Sequence, residues 1–118
     1  MDEERRSQPR TRAYLPVRLH KTSSPQLVET LTKDVGLGGI RCLSPTLFPV
    51  STEVTVELVL STGQEPLTMR GRTAWFSMIP ESEQFDLGIS FFELQPHHQR
   101  RLSTFLELLA GKSSALAS

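Results

Sequence analysis

The amino-acid sequence predicts an all-β domain with one C-terminal helix: a six-stranded antiparallel β-barrel capped by an amphipathic α-helix. Three observations predict this fold class. Several short runs alternate apolar and polar residues, turn-forming residues separate these runs, and no helical period lies between them. A helical period occurs only near the end of the chain.

Six runs have the period of a strand, in which every second side chain faces the core. The clearest is TEVTVELVL, which places Val54, Val56 and Leu58 on one face. Pro16 indicates an edge strand, because proline has no N–H group to donate to a sheet. The other five runs are LPVRL, LVETLTK, GIRCL, LTMRGRTAWF and QFDLGISFF.

The final run, QPHHQRRLSTFLELLAGK, has the period of a helix. Its apolar residues recur at i, i+3, i+4 and i+7: Leu102, Phe105, Leu106 and Leu109. Pro96 suits the first turn of this helix, and Gly111 suits its end. We therefore expect the barrel and helix to occupy residues 13–111, and residues 112–118 to form a disordered tail.

Length, charge and cysteine content limit the class of protein. A chain of 118 residues with 37% hydrophobic content is long enough for one domain with one core. Its 13 basic and 13 acidic residues cancel, so no global charge favours nucleic acid or an anionic membrane. No apolar run approaches the ~18 residues needed to span a bilayer, so membrane insertion is not expected. The N-terminus has no apolar stretch typical of a signal peptide, and Cys42 has no partner for a disulfide. These features predict a cytoplasmic protein.

Residues 1–12 are polar and rich in arginine, which predicts a mobile arm. Arg6 and Arg10 lie four residues apart within it. The guanidinium group of arginine presents a rigid fork of donors that matches either a phosphate or the O6/N7 edge of guanine. Two such forks can hold one anion. Arg12, like Arg41 farther along the chain, is expected on an exposed face.

The stretch DVGLGG complements these arginines. An ionised aspartate such as Asp34 only accepts hydrogen bonds, and it suits the N1–H and N2–H₂ donors of guanine. Clustered glycines, including Gly36 and Gly39, indicate positive φ angles or a group that approaches the backbone closely, here a nucleotide. Two alternatives stay open: Gly38 and Gly39 can form a hairpin without a ligand, and Asp34 can cap the turn through its own backbone.

These two segments resemble the PilZ domain family, whose pattern is Arg-x-x-x-Arg followed by Asp/Asn-x-Ser-x-x-Gly on a small antiparallel barrel. The similarity continues in LPVRL, RGRTAWF and FDLGISFFELQPHHQRRLSTFL. The resemblance implies a bacterial signalling domain that binds cyclic di-GMP, often as a self-stacked pair, and needs no other cofactor. The ligand-binding residues it implies are Arg5, Arg6, Arg10, Asp34, Gly36 and Gly39.

One position departs from the family pattern, because Gly36 stands where the family has serine. A neutral hydrogen bond contributes about 0.5–1.5 kcal/mol, so its loss corresponds to a roughly two- to twelve-fold weakening. Trp75 is a peripheral candidate that can stack on guanine, although a tryptophan on an alternating strand more often packs in the core or at its rim.

The function predicted from the sequence is a stand-alone cyclic di-GMP receptor or adaptor that changes its interaction with an unidentified effector protein. We expect no catalytic or metal-binding residues, since His97 and His98 are adjacent and Cys42 has no evident activating partner. One alternative is a degenerate PilZ-like adaptor that acts only through protein contacts and does not bind cyclic di-GMP. Another, binding of single-stranded nucleic acid by the basic arm, is disfavoured by the neutral net charge.

Overall fold

A computed structural model describes residues 10–117 of the chain, and side chains over residues 10–111. No helix in that range is long and apolar enough to span a bilayer. The elements are strands β1 (Thr11–Arg12), β2 (Pro16–Lys21), β3 (Leu27–Gly36), β4 (Gly39–Ser44), β5 (Glu53–Leu58), β6 (Leu67–Met78) and β7 (Phe85–Glu93), and helix α1 (Pro96–Ala117).

The strands close into a barrel. Strands β3, β2, β5, β6, β7 and β4 are neighbours in that order, and β4 pairs back with β3 to complete a ring of six antiparallel strands. The predicted six-stranded antiparallel barrel with one C-terminal helix is therefore confirmed. Closure gives each of the six strands a neighbour on both sides, so the ring has no free edge strand.

Strand β1 lies outside this ring and was not expected. The sequence assigns Thr11 and Arg12 to the mobile arm, but in the structure they pair with Val35 and Asp34 of β3. The backbone N–H of Ala13 also donates to the carbonyl of Lys33 at 3.1 Å. These hydrogen bonds attach the end of the predicted arm to the sheet, next to the glycine-rich turn.

The barrel interior contains the apolar faces that alternation predicts. Val54, Val56 and Leu58 are fully buried, as is Leu19 of β2. Phe48 is also fully buried, although it lies in the loop between β4 and β5, where no period marks a core residue.

Helix α1 packs against this core through its predicted stripe. Leu102 is completely buried, and Leu106 and Leu109 are partly buried against the barrel. The prediction that the helix ends at Gly111 is wrong, because the helix continues to Ala117. Gly111 does not take the left-handed conformation that ends many helices, and the alanines and leucine that follow favour helix.

Candidate functional site

Five residues on neighbouring strands form a line across the outer face of the barrel, which we call the outer row. Its members, from β6 to β1, are Trp75, Gly88, Arg41, Asp34 and Arg12. Each is the direct register partner of the next, so all five face the same side of the sheet. The strand register thus assembles an aromatic ring, an acid and two arginines from segments far apart in sequence.

Trp75 and Gly88 form one end of the outer row. A Cβ atom on Gly88 would collide with the indole atoms Nε1, Cε2 and Cδ1 of Trp75, so only glycine lets the ring lie against strand β7. Trp75 is half-buried by this contact. It packs at the rim, as the sequence favoured, and it also forms one wall of a cleft.

That cleft has a volume of about 100 Å³. It lies where the arginine-rich segment meets the glycine-rich turn. Its lining residues are Arg10, Gly38, Gly39, Ala74, Trp75, Gly88, Ile89 and Ser90. Three segments predicted to carry function therefore converge here: the arginine-rich segment, the glycine-rich turn and the Trp75 strand. Arg10, Gly39 and Trp75 are the sequence-predicted residues among them.

The glycines of the turn have a different cause from the one expected. Among residues 10–117 the glycine with a positive φ is Gly63, at 86°, so left-handed backbone does not explain this turn. A Cβ atom on Gly39 would collide with the carbonyl oxygen of Ile89 and lie 3.3 Å from Cα of Ser90. A side chain at position 39 is therefore excluded by a group that lies close to it, as expected. That group is the backbone of β7, so no nucleotide is needed to explain this glycine.

Asp34, which lies between Arg41 and Arg12 in the outer row, belongs to a chain of charged groups. Its Oδ1 is 3.4 Å from Nη1 of Arg10, and its Oδ2 is 3.7 Å from Nη1 of Arg41. Asp86 in turn lies 3.4 Å from Nη2 of Arg41 and 3.1 Å from Nζ of Lys33. The carboxylate of Asp34 therefore faces two arginines.

Arg41 was predicted on an exposed face, but it is half-buried between Asp34 and Asp86. Arg12 is exposed, as predicted. Burial by itself would raise the pKa of Asp86, but the hydrogen bonds and positive charges of Lys33 and Arg41 outweigh it and lower the pKa below its usual value. Nε of Arg41 is buried without a hydrogen-bond partner among the described residues. The donor on this atom is therefore left unsatisfied by the described residues.

The remaining predicted residues divide into two groups. Arg5 and Arg6 lie outside the described residues. Gly36 is buried and pairs with Gly39 across the turn, and it does not line the cleft.

Sequence reasoning missed four residues around the site: Lys33, Arg41, Asp86 and Gly88. A glycine within the alternating run QFDLGISFF was a usable signal, since a strand interior tolerates glycine poorly unless something lies close to it.

Cys42 is buried and plays no part in this surface. Burial, followed by the negative charge of Asp86, raises the pKa of its thiol to about 12, so the thiol is neutral at physiological pH. No group of three or more potential metal-ligating side chains occurs in the part of the chain that the structure describes.

A barrel of six antiparallel strands, with an arginine segment beside a glycine-rich hairpin, is the arrangement that the family resemblance implied. The family model of the PilZ domain matches residues 4–108. The chain belongs to the PilZ domain family, and the resemblance seen in the sequence is confirmed. A search of curated proteins gave no match.

Solved structures of this family share the fold at low sequence identity. The PilZ domain of YcgR from Escherichia coli with c-di-GMP has a TM-score of 0.69 and 19% identity, over 96% of this chain and 97% of that one. YcgR from Escherichia coli in complex with c-di-GMP has a TM-score of 0.77 and 16% identity, over 96% of this chain and 49% of that one. The Bacillus subtilis inhibitor of motility (MotI/DgrA) has a TM-score of 0.74 and 17% identity, over 89% and 51%. The chain spans about half the length of the latter two proteins.

Proposed function

We propose that this protein is a receptor for cyclic di-GMP that converts binding of this second messenger into a changed interaction with an effector protein. One observation carries the proposal: Nη1 of Arg10 lies 3.4 Å from Oδ1 of Asp34, beside a cleft that Gly39 and Trp75 line. The two parts of the family pattern thus meet at one point of the surface. The complexes of YcgR and of its PilZ domain with c-di-GMP support the same ligand.

The chemistry of the cleft suits a guanine nucleotide. The carboxylate of Asp34 accepts hydrogen bonds from the N1–H and N2–H₂ edge of guanine, and the fork of Arg10 donates to its O6/N7 edge or to a phosphate. The indole of Trp75 offers a face for stacking. The contacts of Asp34 with Arg10 and Arg41, at 3.4 and 3.7 Å, are longer than the ~2.7–2.9 Å of a tight charge-assisted bond. A ligand therefore displaces them at little cost.

Arg6 belongs to the proposed site because it matches the family pattern, and Arg5 because it resembles an additional arginine that many family members carry. In the bound state they close over the nucleotide. Ordering a backbone costs roughly 1–2 kcal/mol per residue, which the charge-assisted contacts of the arginines must exceed. The closed segment changes the surface presented to an effector in the cytoplasm, so the protein acts by binding and not by catalysis.

Isothermal titration of the protein with cyclic di-GMP tests this proposal. We expect measurable binding at micromolar protein, and Arg10→Ala should weaken it by about tenfold or more, because charge-assisted bonds contribute about 1.5–3 kcal/mol. Arg18→Ala is the matched control. Arg18 is also an outer-face arginine with carboxylate partners, Glu29 and Glu57, but it lies on β2 away from the cleft. Absence of heat with the unaltered protein would refute the proposal.

The second candidate is an adaptor that has lost the ligand and acts only through protein contacts. Gly36 favours it, because the serine hydroxyl of the family pattern is missing, and so does Gly39, whose lack of a side chain is explained by the backbone of β7. This candidate predicts no heat in the same titration, with or without Arg10→Ala.

A further inference from the structure

A second pocket lies at the β1 end of the outer row, whereas the Trp75 cleft lies at the β6 end. It has a volume of about 500 Å³, and Arg10 lines both. The full lining is Arg10, Arg12, Tyr14, Lys33, Asp34 and Arg41. Four of these six residues are basic and one is acidic, in a chain whose net charge is zero. Positive charge is therefore concentrated here by the fold.

A β-bulge places Lys33 and Asp34 on the same outer face at this pocket. On a regular strand Lys33 and Asp34 would face opposite sides of the sheet. The register of β3 against β4 shifts between Thr32 and Asp34. Thr32 and Val35 are fully buried, while Lys33 and Asp34 are both partly exposed. The extra residue shifts the alternation, so Asp34 faces outward beside Lys33 where a regular strand would turn it inward.

The described residues place fewer carboxylates than basic side chains around this pocket. Even with Asp86, which holds Lys33 and Arg41 from beyond the pocket, two acids face four basic residues. Arg12 has no carboxylate partner among the described residues. The surplus is two positive charges, which equals the charge of the two phosphodiester groups in a cyclic dinucleotide.

We propose that Arg12, Lys33 and Arg41 form an anion subsite that binds a phosphodiester group of the nucleotide, next to the cleft that takes its base. The inference rests on the proposed function, since it names residues of the same surface. Paired strands are ~4.8 Å apart, so Arg12 and Arg41 flank Asp34 directly and a ligand bound to Asp34 is within reach of both. The side chain of Arg41 is 38% exposed, so its outer N–H groups are open to such a ligand.

Cyclic di-GMP titrations of Lys33→Met and Arg12→Gln test the subsite. Each substitution removes one charge and keeps most of the side-chain length. At low salt, where screening is weak, each should weaken binding on the order of tenfold. Lys21→Met, at the end of β2 and outside both pockets, is the matched control and should leave affinity unchanged. Wild-type affinity in both subsite variants would overturn the inference and leave the proposed function intact.

Competition titrations with inorganic phosphate and with guanosine test separately where the phosphate and the base of the ligand bind. Phosphate should compete with cyclic di-GMP in the unaltered protein, and less well in Lys33→Met, while guanosine should compete equally in both. Should the unaltered protein fail to bind cyclic di-GMP, the proposed function falls. The subsite is then decided by an NMR titration with phosphate alone: shifts of the Arg41 Nε–H resonance support an anion site, and their absence refutes it.

Discussion

Gly36 is the residue at which this chain leaves the binding pattern of its family, and it carries the clearest test at the residue scale. Gly36→Ser restores the family hydroxyl. We expect it to tighten binding of cyclic di-GMP by about two- to twelve-fold, the equivalent of one neutral hydrogen bond of 0.5–1.5 kcal/mol. Calorimetric titration measures the change.

Gly111→Ser controls for a general effect of replacing glycine by serine, because a Cβ atom at Gly111 meets open space on helix α1. It should leave the affinity unaltered. Unchanged or weaker binding by Gly36→Ser would show that the missing hydroxyl does not limit this site.

Two other glycines are required because neighbouring groups of the protein occupy the space of a side chain. Gly39 leaves room for the carbonyl of Ile89, and Gly88 leaves room for the ring of Trp75. Gly39 and Ile89 are about fifty positions apart in sequence, and Gly88 and Trp75 are fewer than fifteen apart. In each case the two residues lie on neighbouring strands. Sequence reasoning found Gly39 through the family pattern and missed Gly88, because the reason for Gly88 lies on another strand.

At the scale of elements, helix α1 contributes to stability through one buried face. Leu102→Ala should lower the free energy of unfolding by about 2–5 kcal/mol, since Leu102 is completely buried and its removal leaves a cavity. Urea denaturation followed by far-UV circular dichroism measures this value.

Leu108→Ala on the same helix is the matched control. Leu108 is 63% exposed, so its truncation should change stability by no more than about 0.5 kcal/mol. Equal losses in the two variants would mean that the helix is not held by the Leu102 face.

The elements themselves were largely predictable, because alternation marks a strand wherever one face is buried. Strand β1 was not, since its two residues have no apolar pattern and are held by backbone pairing with β3. The helix end was also misjudged: glycine favours a stop only where the backbone turns left-handed, and Gly111 does not.

At the scale of the whole molecule, Asp86 links three strands through Lys33 of β3 and Arg41 of β4. Its pKa in the folded state lies below the usual 3.8, so its ion pairs stabilise the fold above about pH 4. This contribution is lost as pH falls through the lowered pKa. Asp86→Asn should therefore cost about 1–3 kcal/mol at pH 7 and flatten the acid limb of the stability curve.

Urea denaturation at a series of pH values from neutral to strongly acidic tests this dependence. Glu83→Gln is a suitable control, because Glu83 is an exposed acid in the hairpin between β6 and β7. An acid limb that is equally steep in Asp86→Asn and in the unaltered protein would contradict the role of Asp86.

The amino-acid sequence alone determined the barrel, the terminal helix and the family, because alternation, turn residues and the two short motifs are local properties of the chain. Only the tertiary structure decided which residues surround Asp34. Strand register sets Arg41 and Arg12 on either side of it, and a bulge places it on the same face as Lys33. Such neighbours depend on how strands align across the barrel, and no local pattern encodes that alignment.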